Sequence, residues 1–335
     1  MSRLKYIIAI LITLSFLACE TEFDPVLPME PIPVVYSLID NSDTAHWVKL
    51  SKSFIMDKGL ITSNISTDSL IFPGTRVFLE RWNGDYIFDR AELTPHDIPR
   101  ADGLFPSTPN PHFYLPKEAK TRGLFSDPNP NDIIKLIIDI PGLPVVYSQT
   151  VAMEPIKVKI PRRDEEKPYL FGEKPWIIEW STKAYYTEVF LELCFFDYFE
   201  DSTRYQSVRW REYHSIPALI DFDDPSSKKY LEPLTGHQLM IRIGGIMNPD
   251  EEVRYRTFDR INIHFYTTDE NVYTYNTTNL IRSIDQTGIQ FNNIVNGMGL
   301  FGTRSRTSRW FVLGQRELDS LAKGQYTKDL GFVSW

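Results

Sequence analysis

The stretch TRVFLERWNGDYIFDRAE, Thr75–Glu92, decides the reading of the fold. Thr75–Trp82 and Asp85–Glu92 are each rich in β-branched and aromatic residues. Between them lies Asn83-Gly84, the dipeptide that a two-residue type I′ hairpin favours, because both central positions need positive φ. The same pattern recurs outward in both directions. Val34–Ile39 reads as a strand that stops at the turn cluster Asp40-Asn41-Ser42-Asp43, and His46–Ile55 resumes as a second. Asp132–Ile140 and Val145–Val151 flank Pro141-Gly142-Leu143-Pro144 as another hairpin. Both faces of its first arm are apolar, as in a strand covered on both sides. Ile156–Ile160 follows. Residues 94–131, crowded with Pro, Asn and Asp, read as a long loop.

Pro161–Pro168 is charged, bounded by proline and free of apolar residues. That composition suits a domain boundary made of solvated linker. Beyond it, Trp176–Trp180 opens the second half, and Ala184–Phe196, Tyr205–Tyr213, Leu239–Ile243 and Ile261–Phe265 alternate with period two. Thr267-Thr268-Asp269-Glu270 has the spacing of a capping box, which predicts a helix over 269–281. Phe301–Leu313 returns to strand, and a short helix over 316–322 is expected to stop near Gly324. The expectation is an all-β chain of two β-sandwich domains of the Ig or fibronectin type. They span 34–161 and 169–335, and one or two short helices decorate the second.

Composition narrows the class. The chain has 335 residues, of which 42% are hydrophobic, so global disorder is excluded. Its 23 Pro against 17 Gly favour short strands and rigid turns. With 36 basic against 44 acidic side chains, the net charge of −8 opposes a whole-surface attraction to nucleic acid. Two cysteines leave no room for a disulfide framework or a Cys-rich zinc module.

Arg3 and Lys5 precede the apolar run Tyr6–Ala18, which ends at Cys19. As a helix this run reaches about 20 Å, short of a ~30 Å hydrocarbon core. It reads as a signal peptide over 1–18. Ser15-Phe16-Leu17-Ala18-Cys19 resembles a bacterial lipoprotein signal, in which the cysteine becomes the acylated first residue; Phe16 replaces the usual Leu. The alternative is an ordinary secretory signal. Two or more acyl chains on Cys19 would anchor the chain stably in lipid. The acidic start Glu20–Asp24 and the Pro-rich stretch Pro25–Pro33 then form a tether over 19–33. Cys194, in an apolar strand, reads as a small buried hydrophobe whose thiol is raised in pKa.

The lipoprotein start, the Val34-Val35-Tyr36 strand with Asp43-Thr44 behind it, Ala184-Tyr185-Tyr186 and the segment Phe291–Gly302 together resemble one family. It is a Bacteroidota-type outer-membrane lipoprotein family, a domain of unknown function often encoded near TonB-dependent receptors. The resemblance spans nearly the whole mature chain in order of features. It implies an all-β accessory protein anchored in the cell envelope; the acidic start Glu20–Asp24 separately resembles a signal for export to the outer face of the outer membrane, so display on the cell surface is expected, alternatively on the periplasmic face. It implies no catalytic residues.

Candidate chemistry is sparse. Gly297-Met298-Gly299-Leu300-Phe301-Gly302 matches a dinucleotide fingerprint, but a strand follows where a helix is needed, so a turn or bulge is the better reading. Arg304 and Arg306 share a strand face and suit an anionic group or a partner's carboxylates. Asp221, Asp223 and Asp224, and separately Asp127, Asn129, Asn131 and Asp132, are oxygen-rich enough for Ca²⁺, though turn formation explains both. His96 and His112 fall in one loop and so can converge, but no zinc motif is present. Phe105, Phe113, Tyr114 and Phe125 on the 94–131 loop could stack on sugars or anchor a partner. The expected function is a non-enzymatic binding or assembly partner of an outer-membrane protein complex, anchored in outer-membrane lipid, with no cofactor. Alternatives are a glycan-binding surface lipoprotein, a hydrolase with dispersed acids, and a fimbrial-type subunit.

Overall fold

The Asn83-Gly84 hairpin forms, one residue out of the expected frame. β3 (Arg76–Asn83) and β4 (Tyr86–Asp97) pair antiparallel with Asn83 opposite Tyr86, so Gly84 and Asp85 make the loop. Gly84 takes φ +57°, the positive value required at the first loop position of a II′-class turn. Asn83 stays in the ladder because its side-chain amide donates to Asp132 Oδ1 at 2.7 Å. The computed structural model describes residues 31–40, 43, 45–53, 71–99, 107–108, 110–116, 132–171, 175–217, 229–284 and 291–334.

The chain is all-β in class. The remaining strands of the large sheet are β1 (Pro33–Asp40), β2 (Ala45–Lys52), β5 (Pro111–Pro116), β6 (Ile133–Asp139), β7 (Val146–Val151), β10 (Tyr186–Tyr198), β11 (Thr203–His214), β13 (Tyr255–Thr268) and β14 (Met298–Phe311). Eleven strands run in the order β11-β10-β13-β14-β1-β2-β5-β4-β3-β6-β7. A second sheet has the order β12-β9-β8, from Lys229–Leu234, Trp176–Ser181 and Lys157–Ile160. Neighbours are antiparallel except β1 and β14, which run parallel, with Tyr36 opposite Leu300. A parallel pair needs a long crossover, and nearly the whole chain supplies it here.

Strands β14 through β7 roll around one apolar core that includes Val35, Val48, Leu79, Phe113, Leu136 and Phe301. The roll meets itself where Tyr147 and Val295 exchange backbone hydrogen bonds of 3.2 and 2.8 Å. A second core fills the space between β10, β13 and the three-stranded sheet, where the Trp180 and Phe265 rings lie 5.4 Å apart. Both cores sit on the same side of the large sheet, because alternate β14 positions send Phe301 into one and Phe311 into the other.

This continuity departs from two separate sandwiches divided at 161–168. Ile32–Trp335 forms one compact unit. Strand β14, from the C-terminal half, lies between β13 and β1 and serves both cores. The linker is also docked: Trp310 N–H donates to Asp164 Oδ1 at 3.2 Å, and Val312 N–H to Glu166 O at 3.1 Å. Two further readings change. Residues 94–131 are not all loop, since β4 runs to Asp97 and Pro111–Pro116 forms β5 between β2 and β4. Pro111 and Pro116 stand at the ends of β5, where a missing N–H costs little.

The alternation at 239–243 is helical: α1 spans Gly236–Ile246, with Thr235 Oγ1 accepting from Gln238 N–H at 3.2 Å as its cap. Leu239, Met240 and Ile243 are buried while Ile241 is exposed, a helical stripe that so short a segment, with Arg242 as its one polar residue, cannot distinguish from a strand. Helix α2 covers Glu270–Ile284. Its cap is Asp269, whose Oδ1 accepts from Val272 N–H at 2.9 Å, and not Thr267, which remains buried in β13. Helix α3, Gln315–Lys323, ends at Gly324 as expected. No helix among the described residues is long and apolar enough to cross a membrane.

Candidate functional site

The side of β11-β10-β13-β14 opposite the second core is a broad face of polar and aromatic side chains. Alternation puts Val189, Leu191 and Leu193 inward, so Phe190 and Glu192 point out. The register then sets Glu192 opposite Arg209 on one neighbour and Asn262 on the other. Phe190 stands opposite His264, which stands opposite Ser308. Tyr266 stands opposite Arg306.

Glu192 is the hub of this face. Its Oε2 accepts from Asn262 Nδ2 at 2.9 Å and from His264 Nε2 at 2.9 Å. Its Oε1 accepts from Ser207 Oγ at 3.0 Å and from Arg209 at 3.4 Å. Burial pushes this carboxyl up. The bonds from Asn262, His264 and Ser207 and the Arg209 charge outweigh burial and hold it down to about 2. The ring of His264 reaches the other way as well, with Nδ1 2.8 Å from Ser308 Oγ. Glu192, His264 and Ser308 therefore form one hydrogen-bonded line across three strands. Nearby, Glu188 pairs with Arg211 at 3.0 Å and accepts from Tyr186. Burial first, and the Glu188 charge second, raise the Tyr186 hydroxyl above its ordinary value.

A second cluster stands on the outer wall of the rolled part. Trp47 on β2 lies 4.5 Å from the Tyr114 ring, 5.9 Å from His96 and 6.3 Å from His112. His96 and His112 do converge, as cross-strand partners of β4 and β5. His112 Nδ1 lies 2.8 Å from Asn110 O, so that nitrogen carries the proton. Beside this cluster is a cavity of about 470 Å³ lined by Leu50, Phe72, Pro95, His96, Asp97 and Phe113.

The sequence-derived candidates are distributed unevenly. Phe113 is core, at 5% exposure, while its neighbour Tyr114 joins the outer cluster. Arg304 and Arg306 do share the outward face, but both serve carboxylates of this chain. Arg304 Nε lies 2.9 Å from Asp40 Oδ2, Arg306 Nε lies 3.7 Å from the same oxygen, and Arg306 also pairs with Asp43. Asp40 is fully buried, so the two guanidiniums neutralise a carboxylate that would otherwise be costly there. Asp132 is spent on Arg81, at 2.6 Å, and on Asn83. Cys194 is a free, buried thiol pushed up by burial. Cys19, Phe105, Phe125, Asp127, Asn129, Asn131, Asp221, Asp223 and Asp224 lie outside the described residues. Among the described residues, no group of three His, Cys, Asp or Glu side chains gathers to hold a metal ion.

Reading by motif missed the Glu192–His264–Ser308 line. Its members are separated by 72 and 44 residues, and each sits at an outward position of an ordinary alternating strand. The one available signal was a histidine and a glutamate at outward positions of two long central strands. Comparison of the chain with protein-family models and with curated protein sequences finds no match.

Proposed function

We propose that this chain is a cell-envelope lipoprotein, anchored in outer-membrane lipid through acylated Cys19, that binds a protein partner in an outer-membrane complex of the TonB-dependent-receptor type. The observation that supports the binding role is the outward face of β11-β10-β13-β14. It combines Tyr186, Phe190, Tyr205, Tyr266 and Trp310 with Arg209, Arg211 and Arg260 on four paired strands. Aromatic residues and arginine are the types enriched where proteins meet, and a paired sheet holds them with little ordering entropy to lose. The anchoring rests on Ser15–Cys19 and the short acidic, Pro-rich tether behind it.

The test is purification from detergent-solubilised native membranes, comparing wild type with Arg209→Glu and Arg211→Glu together. A defined outer-membrane protein should co-elute with wild type and be lost with the charge reversal. Recovery of wild type as a lone monomer in several mild detergents would overturn the reading. Cys19→Ala should abolish acyl labelling and release the protein from membranes; continued labelling would refute the anchor.

A second reading, a glycan-binding surface lipoprotein, is favoured by the Trp47–Tyr114 pair and the adjoining His96 and His112. Aromatic faces on a rigid strand wall can stack on sugar rings. Affinity electrophoresis on a broad polysaccharide panel tests it. Retardation should disappear in Tyr114→Ala, and migration unaltered by every polysaccharide would remove it.

A further inference from the structure

We propose that Ser308, His264 and Glu192 form an acyl-transfer site for carboxylic esters, an activity beyond the binding role. The proton positions follow from the donors and acceptors. The Glu192 carboxylate only accepts, so His264 Nε2, at 2.9 Å, must be the protonated nitrogen. In the neutral ring that leaves Nδ1 as an acceptor. Ser308 Oγ, 2.8 Å away, then donates its proton to Nδ1. A hydroxyl bonded to a basic nitrogen, whose ring is oriented by a half-buried carboxylate, is the nucleophile–base–orienter arrangement of acyl transfer. The two ring nitrogens exchange roles relative to the familiar serine-protease arrangement.

The backbone supports the same assignment. Trp310 N–H and Val312 N–H both reach the 164–166 segment, away from β13. Alternation along the unbroken β13–β14 register directs the Ser308 N–H the same way. It also makes His264 and Ser308 a non-hydrogen-bonded pair, the class with the closer side chains.

In the reaction, Ser308 Oγ bonds to the acyl carbon as His264 Nδ1 takes its proton. The C–O bond to the alcohol then breaks, and the alcohol leaves with that proton. Water, deprotonated by His264, attacks the acyl-serine, releases the carboxylic acid and restores the hydroxyl. Ser308 is exposed on an open face bordered by Tyr266 and Trp310. The fitting substrate is therefore an ester carried on an extended or flexible molecule that can lie along the strands.

The test uses the purified full-length protein in detergent with a fluorophosphonate probe, whose phosphorus is attacked by an activated serine with loss of fluoride. A known serine hydrolase is labelled in parallel. Peptide mapping should place one adduct on Ser308. Ser308→Ala, which removes only an exposed hydroxyl and should keep the wild-type melting temperature, should lose it. His264→Ala should slow labelling by about 100-fold. Glu192 is a positioning residue: Glu192→Gln should lower the maximal labelling rate while leaving the probe concentration at half-maximal rate unchanged. Folded wild type that stays unlabelled, or an adduct that persists in Ser308→Ala, would overturn the proposal. Neither result would bear on co-elution with a membrane partner, so the two readings fail separately.

Discussion

Replacing Glu192 by Gln tests how much the charge of one carboxylate holds the outward network together. Glu192 is held at about 2 against an ordinary 4.5. At about 1.4 kcal/mol per tenfold change, that preference for the charged form is worth up to ~3 kcal/mol. The side chain is 15% exposed and one of its partners, Arg209, is 43% exposed. Solvent screening therefore reduces the realisable part to about 1–2 kcal/mol. The sign is fixed by the direction of the change. A carboxyl depressed in the folded state contributes fully above about pH 4.5, and the contribution disappears as pH falls through about 2. Gln keeps the shape and two of the acceptor contacts but cannot carry the charge. The stability difference between wild type and Glu192→Gln should therefore be about 1–2 kcal/mol at pH 7 and should shrink steadily between pH 4.5 and pH 2. Urea unfolding followed by tryptophan fluorescence at a series of pH values measures it, and the difference between the two proteins cancels the other carboxylates. A difference that is zero at pH 7, or constant down to pH 2.5, would refute the reasoning.

Gly299→Ala should cost at least ~3 kcal/mol, because φ is +124° and the new Cβ would lie 1.9 Å from Val35 O across the β1–β14 pair; thermal unfolding reads it. Arg256→Ala should cost about 3–5 kcal/mol in urea unfolding, since Asp197, 2.8 Å away and 8% exposed, is left as an unpaired buried charge. The thiol of Cys194, buried and raised, should resist alkylation at pH 8 in the folded protein and react within minutes in urea; equal rates in both would contradict its placement.

Strands and turns were legible wherever the deciding interaction is local. The hairpin at Gly84, the β10, β11 and β13 strands and the helix ending at Gly324 all follow from neighbours a few residues apart. Sequence and fold part company where a local signal has two solutions. Leu239-Met240-Ile241-Arg242-Ile243 satisfies either period, and only Thr235 at its cap and the buried stripe against the second core select the helix. Thr267 and Asp269 both stand just before the helical segment, and the length of β13 decides which one caps α2. Pro-rich residues 111–116 read as loop until β2 and β4 are seen to pair with them.

By itself the sequence determined the all-β class, most strand positions, the turn residues and the buried character of Cys194. Period-two alternation, positive φ at glycine and apolar burial are properties of short segments. Only the tertiary structure decided that β14 joins the two halves into one sheet, that Arg304 and Arg306 neutralise Asp40, and that Glu192, His264 and Ser308 meet. Those three residues come from strands separated by 72 and 44 positions. Their hydrogen bonds depend on which strands are neighbours and in which register, and a one-residue slip would turn each side chain to the other face. Pairing is chosen by the packing of the whole chain, so the line from Glu192 to Ser308 exists only in the folded sheet.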